Sequence, residues 1–507
     1  MIMKNFMLFA VILIPIITGI LIPLLPFKKR RYMELFLEAM VIINSILVWL
    51  LLIYSPEETF VLAKFTGNLT IAFKVDGMAM VFAGLVSFLW PFATLYSFEY
   101  MKEEKNEKIF YLFYTMTYGV TLGIALAGNL LTMYFFYELL TLVTVPLVMH
   151  TLTREAILAS RKYLYYSLGG AAFAFLGLIF VILYGTTTDF ILGGVLDVAK
   201  IGNRTNVLLI IYVIAFLGFG VKAAICPFNS WLPQAGVAPT PVTALLHAVA
   251  VVKSGAFAIL RLTYFCFGVE FLRGTWAQYV VMGFVMFTIV YGCSRAVKET
   301  HLKRRLAYST ISNLSYILFG AVIMTPLGLI GALSHLVFHA FMKISSFFCA
   351  GAIMHQTGKH YVHELDGLGY KMPKVFAIFT ISALALMGVP GLAGFISKWN
   401  LAHAAVESGN VLSYFGIGCL LLSALLTAIY MLSIVVRAFF PVKEESTVLD
   451  AEKSAVGITA RDLEEDFHDP NWKMMLPLFV FAIMIIIFGL FSSSFVSFFA
   501  DVAYGIY

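Results

Sequence analysis

The sequence predicts an all-α polytopic membrane protein of about 14 transmembrane helices, on three observations. The 507 residues are 61% hydrophobic and 12% charged, with a mean hydropathy of +0.92. Soluble domains carry roughly a quarter charged residues. Apolar runs of about 20 residues, enough to cross a bilayer, recur along the whole chain. Two of these runs contain clustered prolines and glycines beside a lysine. Irregular backbone at membrane depth survives only where it is buried in protein or lines a wet cavity.

The runs fall near 5–27, 32–54, 78–99, 109–127, 130–150, 162–184, 207–235, 242–267, 275–297, 305–324, 327–355, 373–404, 411–440 and 473–500. The first, Phe6 to Phe27, has only Lys4 before it and no small-residue cleavage site. With Lys28 to Arg31 following, it reads as a retained helix and not a signal peptide. Between the second and third runs, β-branched and aromatic residues around Gly67-Asn68 predict a short external hairpin. Residues 437–473 form the one long linker, acidic and polar, read either as a cytoplasmic docking segment or as a solvated loop. Five single cysteines without ligand spacing suit packing better than a disulfide framework or an iron–sulfur site.

Orientation follows from the basic residues. If the N-terminus is outside, 23 lysines and arginines lie in cytoplasmic loops and six on the opposite side. The net charge of +6 therefore reports topology and does not point to nucleic acid. An even number of spans places both termini on the outer side of the cell membrane. The remaining five basic residues, Lys222, Lys253, Arg261, Lys343 and Lys398, lie inside spans. Arg261, near the outer end of its span, is expected to anchor at the interface.

The seventh span is interrupted after Lys222 by Pro227 and Pro233. The twelfth is interrupted at Pro390, Gly391 and Gly394, just before Lys398. The two broken spans lie five apart, an odd offset, so they must run in opposite directions, as in an inverted repeat. The expected organisation is 1–108 (helices 1–3 with the hairpin), 109–272 (first five-helix repeat), 273–440 (second, inverted repeat) and 441–507 (linker and helix 14).

Ionisable residues inside a bilayer are costly and mark ion paths by default. Glu138 is a carboxylate near mid-span, and Lys222 is its candidate partner. A static packing pair is the alternative to a titrating one. Lys253 lies mid-span, where burial disfavours the charged ammonium and favours proton exchange. His247, six residues earlier, falls on a different face of an ideal helix and reads equally as a relay or a core histidine. His335, His339 and Lys343 are spaced i, i+4, i+8 and share one helix face, about 6 Å apart along the axis. Lys398 completes the series. His355, His360 and His363 are unevenly spaced beside a loop, which does not suit a metal. No P-loop, GxGxxG after a strand, or GxSxG occurs, so neither a cofactor nor a covalent intermediate is expected in this chain.

The stretch PFNSWLPQAGVAPTPVTALLHAVAVVKSGAFAILR, ending at Arg261, resembles the signature of the proton-conducting antiporter-like family. That family includes the antiporter-like subunits of respiratory complex I, the D and A subunits of Mrp-type Na⁺/H⁺ antiporters, and counterparts in membrane-bound hydrogenases. The resemblance runs from about Asp76 to Phe440. It implies fourteen helices, two inverted five-helix repeats, broken helices 7 and 12, and a polar axis across the membrane. It matches Glu138, Lys222 and Lys253 to the family's glutamate and lysines of helices 5, 7 and 8, with His247 in the preceding LLH motif. It places His339 and Lys343 at helix-11 relay positions. Lys398 falls at a helix-12 position that is lysine in some branches and glutamate in others, and lysine is similar to the Mrp D and hydrogenase-type subunits. After the fourteenth span, no long lateral helix like that of the largest complex I homologue is expected.

The resemblance implies a proton-translocating subunit of a multisubunit, redox-driven membrane complex, hydrogenase-type or complex I-like. Moving one charge against 100 mV takes about 2.3 kcal/mol, which a chain without a cofactor must receive from outside. The expected partners are further antiporter-like or small Mrp-type subunits, a peripheral iron–sulfur or hydrogenase module, the bilayer, H⁺ and Na⁺. Two alternatives stand beside this reading: the D subunit of an Mrp-type Na⁺/H⁺ antiporter, and a scaffold whose buried charges are static.

Overall fold

A computed structural model describes residues 2–54, 59–66, 69–441 and 467–506, with residues 2–6 as backbone only. Gly67-Asn68 and most of the 437–473 linker therefore lie outside the described residues. All the expected intervals hold helix. The first six are α1 (Ile2–Leu24), α2 (Arg30–Ile53), α3 (Gly77–Tyr100), α4 (Glu107–Ala125), α5 (Leu130–Val148) and α6 (Arg154–Tyr184). Next come α7 (Thr205–Gly220), the single turn α8 (Trp231–Gln234), α9 (Thr240–Ala248) and α10 (Val251–Leu260). The second half holds α11 (Trp276–Lys298), α12 (Leu302–Ile323), α13 (Pro326–Thr357), α14 (Pro373–Met387), α15 (Ala393–Glu407) and α16 (Val411–Phe439). Two C-terminal helices follow, α17 (Trp472–Leu490) and α18 (Ser492–Ala503). Among the described residues, 12 helical stretches are long and apolar enough to cross a membrane. The chain is an all-α polytopic membrane protein.

Three departures from the sequence reading have local causes. The eighth span is not one ideal helix: Val249 leaves helical geometry at φ −134, so α9 and α10 are separate. The α6 helix begins at Arg154, where the Thr153 side chain caps it by accepting from the Ala156 N–H. The last span bends at Phe491 into α18.

The loops separate onto two faces. On one, β1 (Phe60–Lys64) and β2 (Thr70–Phe73) pair antiparallel as a hairpin. It leans on the α4–α5 turn, where the Gly128 N–H donates to the Ala72 carbonyl at 2.8 Å. On the other, His301 bridges Tyr361, and the Leu302 N–H donates to the His360 carbonyl at 2.9 Å.

Helices rich in ionisable and small polar residues are innermost. The stretch Thr240–Phe267 is wholly buried, and α12 and α13 nearly so, whereas α1, α2, α6 and α16 turn exposed leucines, isoleucines and phenylalanines outward. In lipid this is the stable arrangement, since apolar side chains lose nothing there and polar ones must find partners inside.

Arg261 corrects an expectation. It is completely buried and does not anchor at an interface. Its Nη1 and Nη2 donate to the two Asp76 carboxylate oxygens at 2.6 and 2.7 Å, and Phe190, Phe257 and Phe265 surround the guanidinium. Asp76 also caps α3 by accepting from the Ala79 N–H. The pair fastens α3 to the end of α10, where the chain widens into the π-helical turn Arg261–Phe267.

Candidate functional site

The first break positions Lys222. After α7 ends at Gly220 the chain makes successive turns through Asn229, with Ala224 in the left-handed region at φ 56. Bonds from outside the helix satisfy the freed backbone groups. The Trp231 Nε1–H donates to the Val221 carbonyl at 2.9 Å, the Tyr137 hydroxyl to the Phe219 carbonyl at 3.1 Å, and the Cys226 N–H to the Thr288 hydroxyl at 3.0 Å. Gly255 allows α10 to approach this turn, since a Cβ there would lie 2.5 Å from the Ala223 nitrogen. The Lys222 ammonium crosses to α5. There it donates to the Tyr137 carbonyl and lies 3.4 Å from the centroid of the Tyr137 ring. It forms no direct ion pair with Glu138, whose Oε1 is buried and has no partner among the described residues. Lys222 thus sits on the carbonyl of the residue next to Glu138.

The centre of the axis joins the two halves. Lys253 on α10 and His339 on α13 meet at 2.7 Å between Nζ and Nδ1, and both are fully buried. The His339 ring stacks on His335 at 5.3 Å between centroids, and His335 Nδ1 lies 2.9 Å from the Ser397 hydroxyl on α15. His247 packs on Phe347 at 4.8 Å, and neither of its ring nitrogens has a protein partner among the described residues.

The second break positions Lys398. Gly388 and Gly391 adopt φ 95 and φ 86 between α14 and α15. The Lys398 side chain runs back along the gap, and its ammonium donates to the Leu386 and Met387 carbonyls at 2.6 and 2.9 Å. The C-terminal carbonyls of a helix lack intrahelical donors and carry the negative end of its dipole. A break followed by a lysine therefore supplies the cation with its own counter-pole. Tyr316 lies under this ammonium at 5.5 Å and against His335 at 5.1 Å.

Lys343 takes a different course. Although it shares a helix face with His335 and His339, it donates to the Ser309 hydroxyl at 2.6 Å. Ser309 in turn accepts from the Tyr430 hydroxyl at 2.7 Å. The Lys253–His339–His335–Ser397 contacts bypass it.

Ser397, Tyr316, Ser309 and Tyr430 carried no signal in the sequence, because single hydroxyls in apolar spans are common. Two charged residues were also missed. Glu38 on α2 has a buried Oε2 without a partner among the described residues. Lys303, counted with a basic loop, is 5% exposed in the first turn of α12. Glu38 was discoverable as a carboxylate inside the apolar run 32–54.

These features define a class: a multi-pass helical membrane subunit whose two broken helices flank a buried axis of lysine, histidine and glutamate. The family described as NADH:quinone oxidoreductase/Mrp antiporter, transmembrane, matches residues 127–427, and the complex I chain 5 N-terminus matches residues 64–111. The chain belongs to the NADH:quinone oxidoreductase/Mrp antiporter family. It is 29% identical over 448 residues to NAD(P)H-quinone oxidoreductase chain 4-3 of Nostoc sp., covering 85% of this chain and 77% of that one. It is 33% identical to the Na⁺/H⁺ antiporter A-subunit of Alkalihalophilus pseudofirmus over 64% of this chain and 41% of that longer protein. A chain of the Mrp complex from Dietzia sp. superposes with a TM-score of 0.81 at 20% identity, covering 99% of this chain and 97% of that one. A chain of the archaeal membrane-bound sulfane sulfur reductase does so with 0.81 at 20% identity, covering 98% and 97%.

Proposed function

We propose that this chain is a proton-translocating subunit of a multisubunit redox-driven membrane complex. Protons move along Glu138, Lys222, Lys253, His339, His335 and Lys398, with His247 joining the path at Lys253 and Lys343 beside it. The observation that carries the reading is the Lys253–His339–His335–Ser397 series, which runs from one half of the chain to the break in the other. Imidazoles exchange protons near neutral pH and can both donate and accept. An ammonium placed against a neutral imidazole is arranged to hand over a proton. Each proton taken up at one end is matched by one released at the other, so no group changes its net charge over a cycle.

Lys222 and Lys398 each lie beside a helix break and are held by backbone carbonyls, Lys222 by Tyr137 within α5 and Lys398 by the last residues of α14, so a small backbone rearrangement at either break changes their partners. A changed field at Glu138, imposed by a neighbouring subunit, would draw Lys222 from the Tyr137 carbonyl and start the transfer. This reading takes 1–108, 109–272, 273–440 and 441–507 as structural units, the middle two being inverted repeats of a fourteen-helix subunit. It places both termini outside the cell membrane and the partner module at the cytoplasmic face. In reconstituted complex, Lys253→Ala should abolish proton flux and His339→Gln should slow it strongly, with assembly intact by size-exclusion chromatography. Wild-type flux in assembled Glu138→Ala and Lys253→Ala complexes would leave the static scaffold as the answer.

The resemblance to an Na⁺/H⁺ antiporter protein favours a second reading, exchange of H⁺ for Na⁺ in an Mrp-type complex. Iron–sulfur proteins in the purified complex would favour the redox-driven reading. Sodium-dependent proton flux without them would favour exchange.

A further inference from the structure

A buried axis that carries protons needs an entrance from water. A cavity of about 330 Å³ opens on the face that carries the basic loops, lined among others by Glu155, Gly236, His301, Lys303, Arg304 and His360. Its rim is fixed: the loop before α12 is stitched to the loop after α13, and Arg304 pairs with Glu155 at 3.0 Å. Its wall carries a second imidazole pair, His301 and His360, 6.0 Å between centroids, and the buried Nδ1 of His301 has no partner among the described residues. At its floor the Lys303 ammonium donates to the Ala238 carbonyl at 2.9 Å. The same carbonyl accepts from the Thr243 hydroxyl at 3.0 Å, so one oxygen joins the cavity floor to α9. His247 lies four residues further along α9, about 6 Å up the same face, and both of its nitrogens are buried without protein partners among the described residues. Lys253 follows across the α9–α10 break. A rim that only closed the fold would need neither a buried lysine nor imidazole nitrogens left open, each of which costs stability unless water reaches it.

We propose that this cavity is the cytoplasmic mouth of the proton path, and that His301, Lys303, Thr243 and His247 connect it to Lys253. The inference rests on the conduction reading above and adds the side and the route of uptake. A proton from bulk water binds an imidazole nitrogen of the His301–His360 pair. It passes through water to Lys303 and along the Thr243 hydroxyl, which accepts one proton as it gives up another, to a ring nitrogen of His247. The departing proton returns each group to its starting state. The charged and titratable groups around the mouth are Lys303, Arg304 and Glu299 on and before α12, Glu155 on α6, and His360 after α13, with Glu104 from the α3–α4 loop facing Lys303.

The test uses the assembled complex in sealed vesicles of both orientations, with a pH-sensitive dye. Val237→Cys places a thiol in the cavity lining. A membrane-impermeant cationic thiosulfonate applied from the cytoplasmic side should then block flux, whereas the same reagent from outside, or on the wild-type chain with its native cysteines, should not. Thr243→Val keeps the shape and removes the hydroxyl. It should slow flux about tenfold, a barrier raised by roughly 1.4 kcal/mol, and Thr243→Ser should restore it. Complete labelling of Val237→Cys with unchanged flux, together with wild-type flux in Thr243→Val, overturns the mouth provided Lys253→Ala is inactive in the same assay. If Lys253→Ala also conducts at the wild-type rate, the conduction reading itself fails and the mouth falls with it.

Discussion

At the residue scale, the buried charges divide by how they are satisfied. Arg261 and Asp76 neutralise each other with two parallel hydrogen bonds, which fixes both side chains. Removing one partner strands a buried charge, so Arg261→Met should destabilise the protein by about 3–5 kcal/mol. The double variant Arg261→Met with Asp76→Leu should recover most of that loss, as read from thermal unfolding of the detergent-solubilised complex. The lysines of the proposed path have no carboxylate partner of this kind and are held by carbonyls or by an imidazole. His301 offers a pH-dependent counterpart outside the spans. Burial, reinforced by Arg304, Lys303 and His360, lowers its pKa from 6.5 to about 4, against the opposing charge of Glu299. An imidazole so held is neutral in the fold, and its contribution to stability is complete above pH 6.5. That contribution is lost as pH falls toward 4, because the unfolded chain takes up the proton first. Melting temperature should therefore decline through this window, and His301→Gln should flatten the decline.

At the element scale, each break couples a lysine to backbone carbonyls, Lys222 to Tyr137 within α5 and Lys398 to the end of α14. Gly388 makes the second coupling possible, since a Cβ there would lie 3.1 Å from the Lys398 Cδ and its φ of 95 is unfavourable for an L side chain. Gly388→Ala should cost roughly 1–2 kcal/mol and displace the ammonium from the Leu386 and Met387 carbonyls. Flux should fall even though no ionisable group has been removed. A variant that loses stability but keeps full flux would show that the position of Lys398 does not govern transfer. Much of this scale was legible in the sequence: Pro227 and Pro390 announced the breaks, and Lys222 and Lys398 stood beside them. The i, i+4, i+8 spacing correctly put His335, His339 and Lys343 on one face. It could not say that Lys343 would turn to Ser309 while His339 met Lys253, because that choice depends on which helices lie opposite.

At the scale of the molecule, helices turn their lipid faces outward and their ionisable residues inward, and the loops divide between a hairpin face and a basic face. If the basic face is cytoplasmic, a tag fused after Tyr507 should be reached by an impermeant antibody only from outside the cell. Detection from inside would invert the proposed orientation and the side of the mouth with it.

The sequence by itself determined the membrane class, the helical intervals, the two breaks and most of the buried ionisable residues, Glu138, Lys222, Lys253, Lys343, Lys398 and the histidines between them, though not Glu38 or Lys303. All of these follow from local hydropathy, proline chemistry and the cost of charge in lipid. Only the tertiary structure decided who meets whom: Lys253 with His339, Lys222 with the Tyr137 carbonyl instead of Glu138, Arg261 with Asp76 instead of the interface, and Lys303 at the floor of a cavity. Those contacts join residues up to 185 positions apart. They are set by helix packing across the core, for which a single sequence carries no periodic signal.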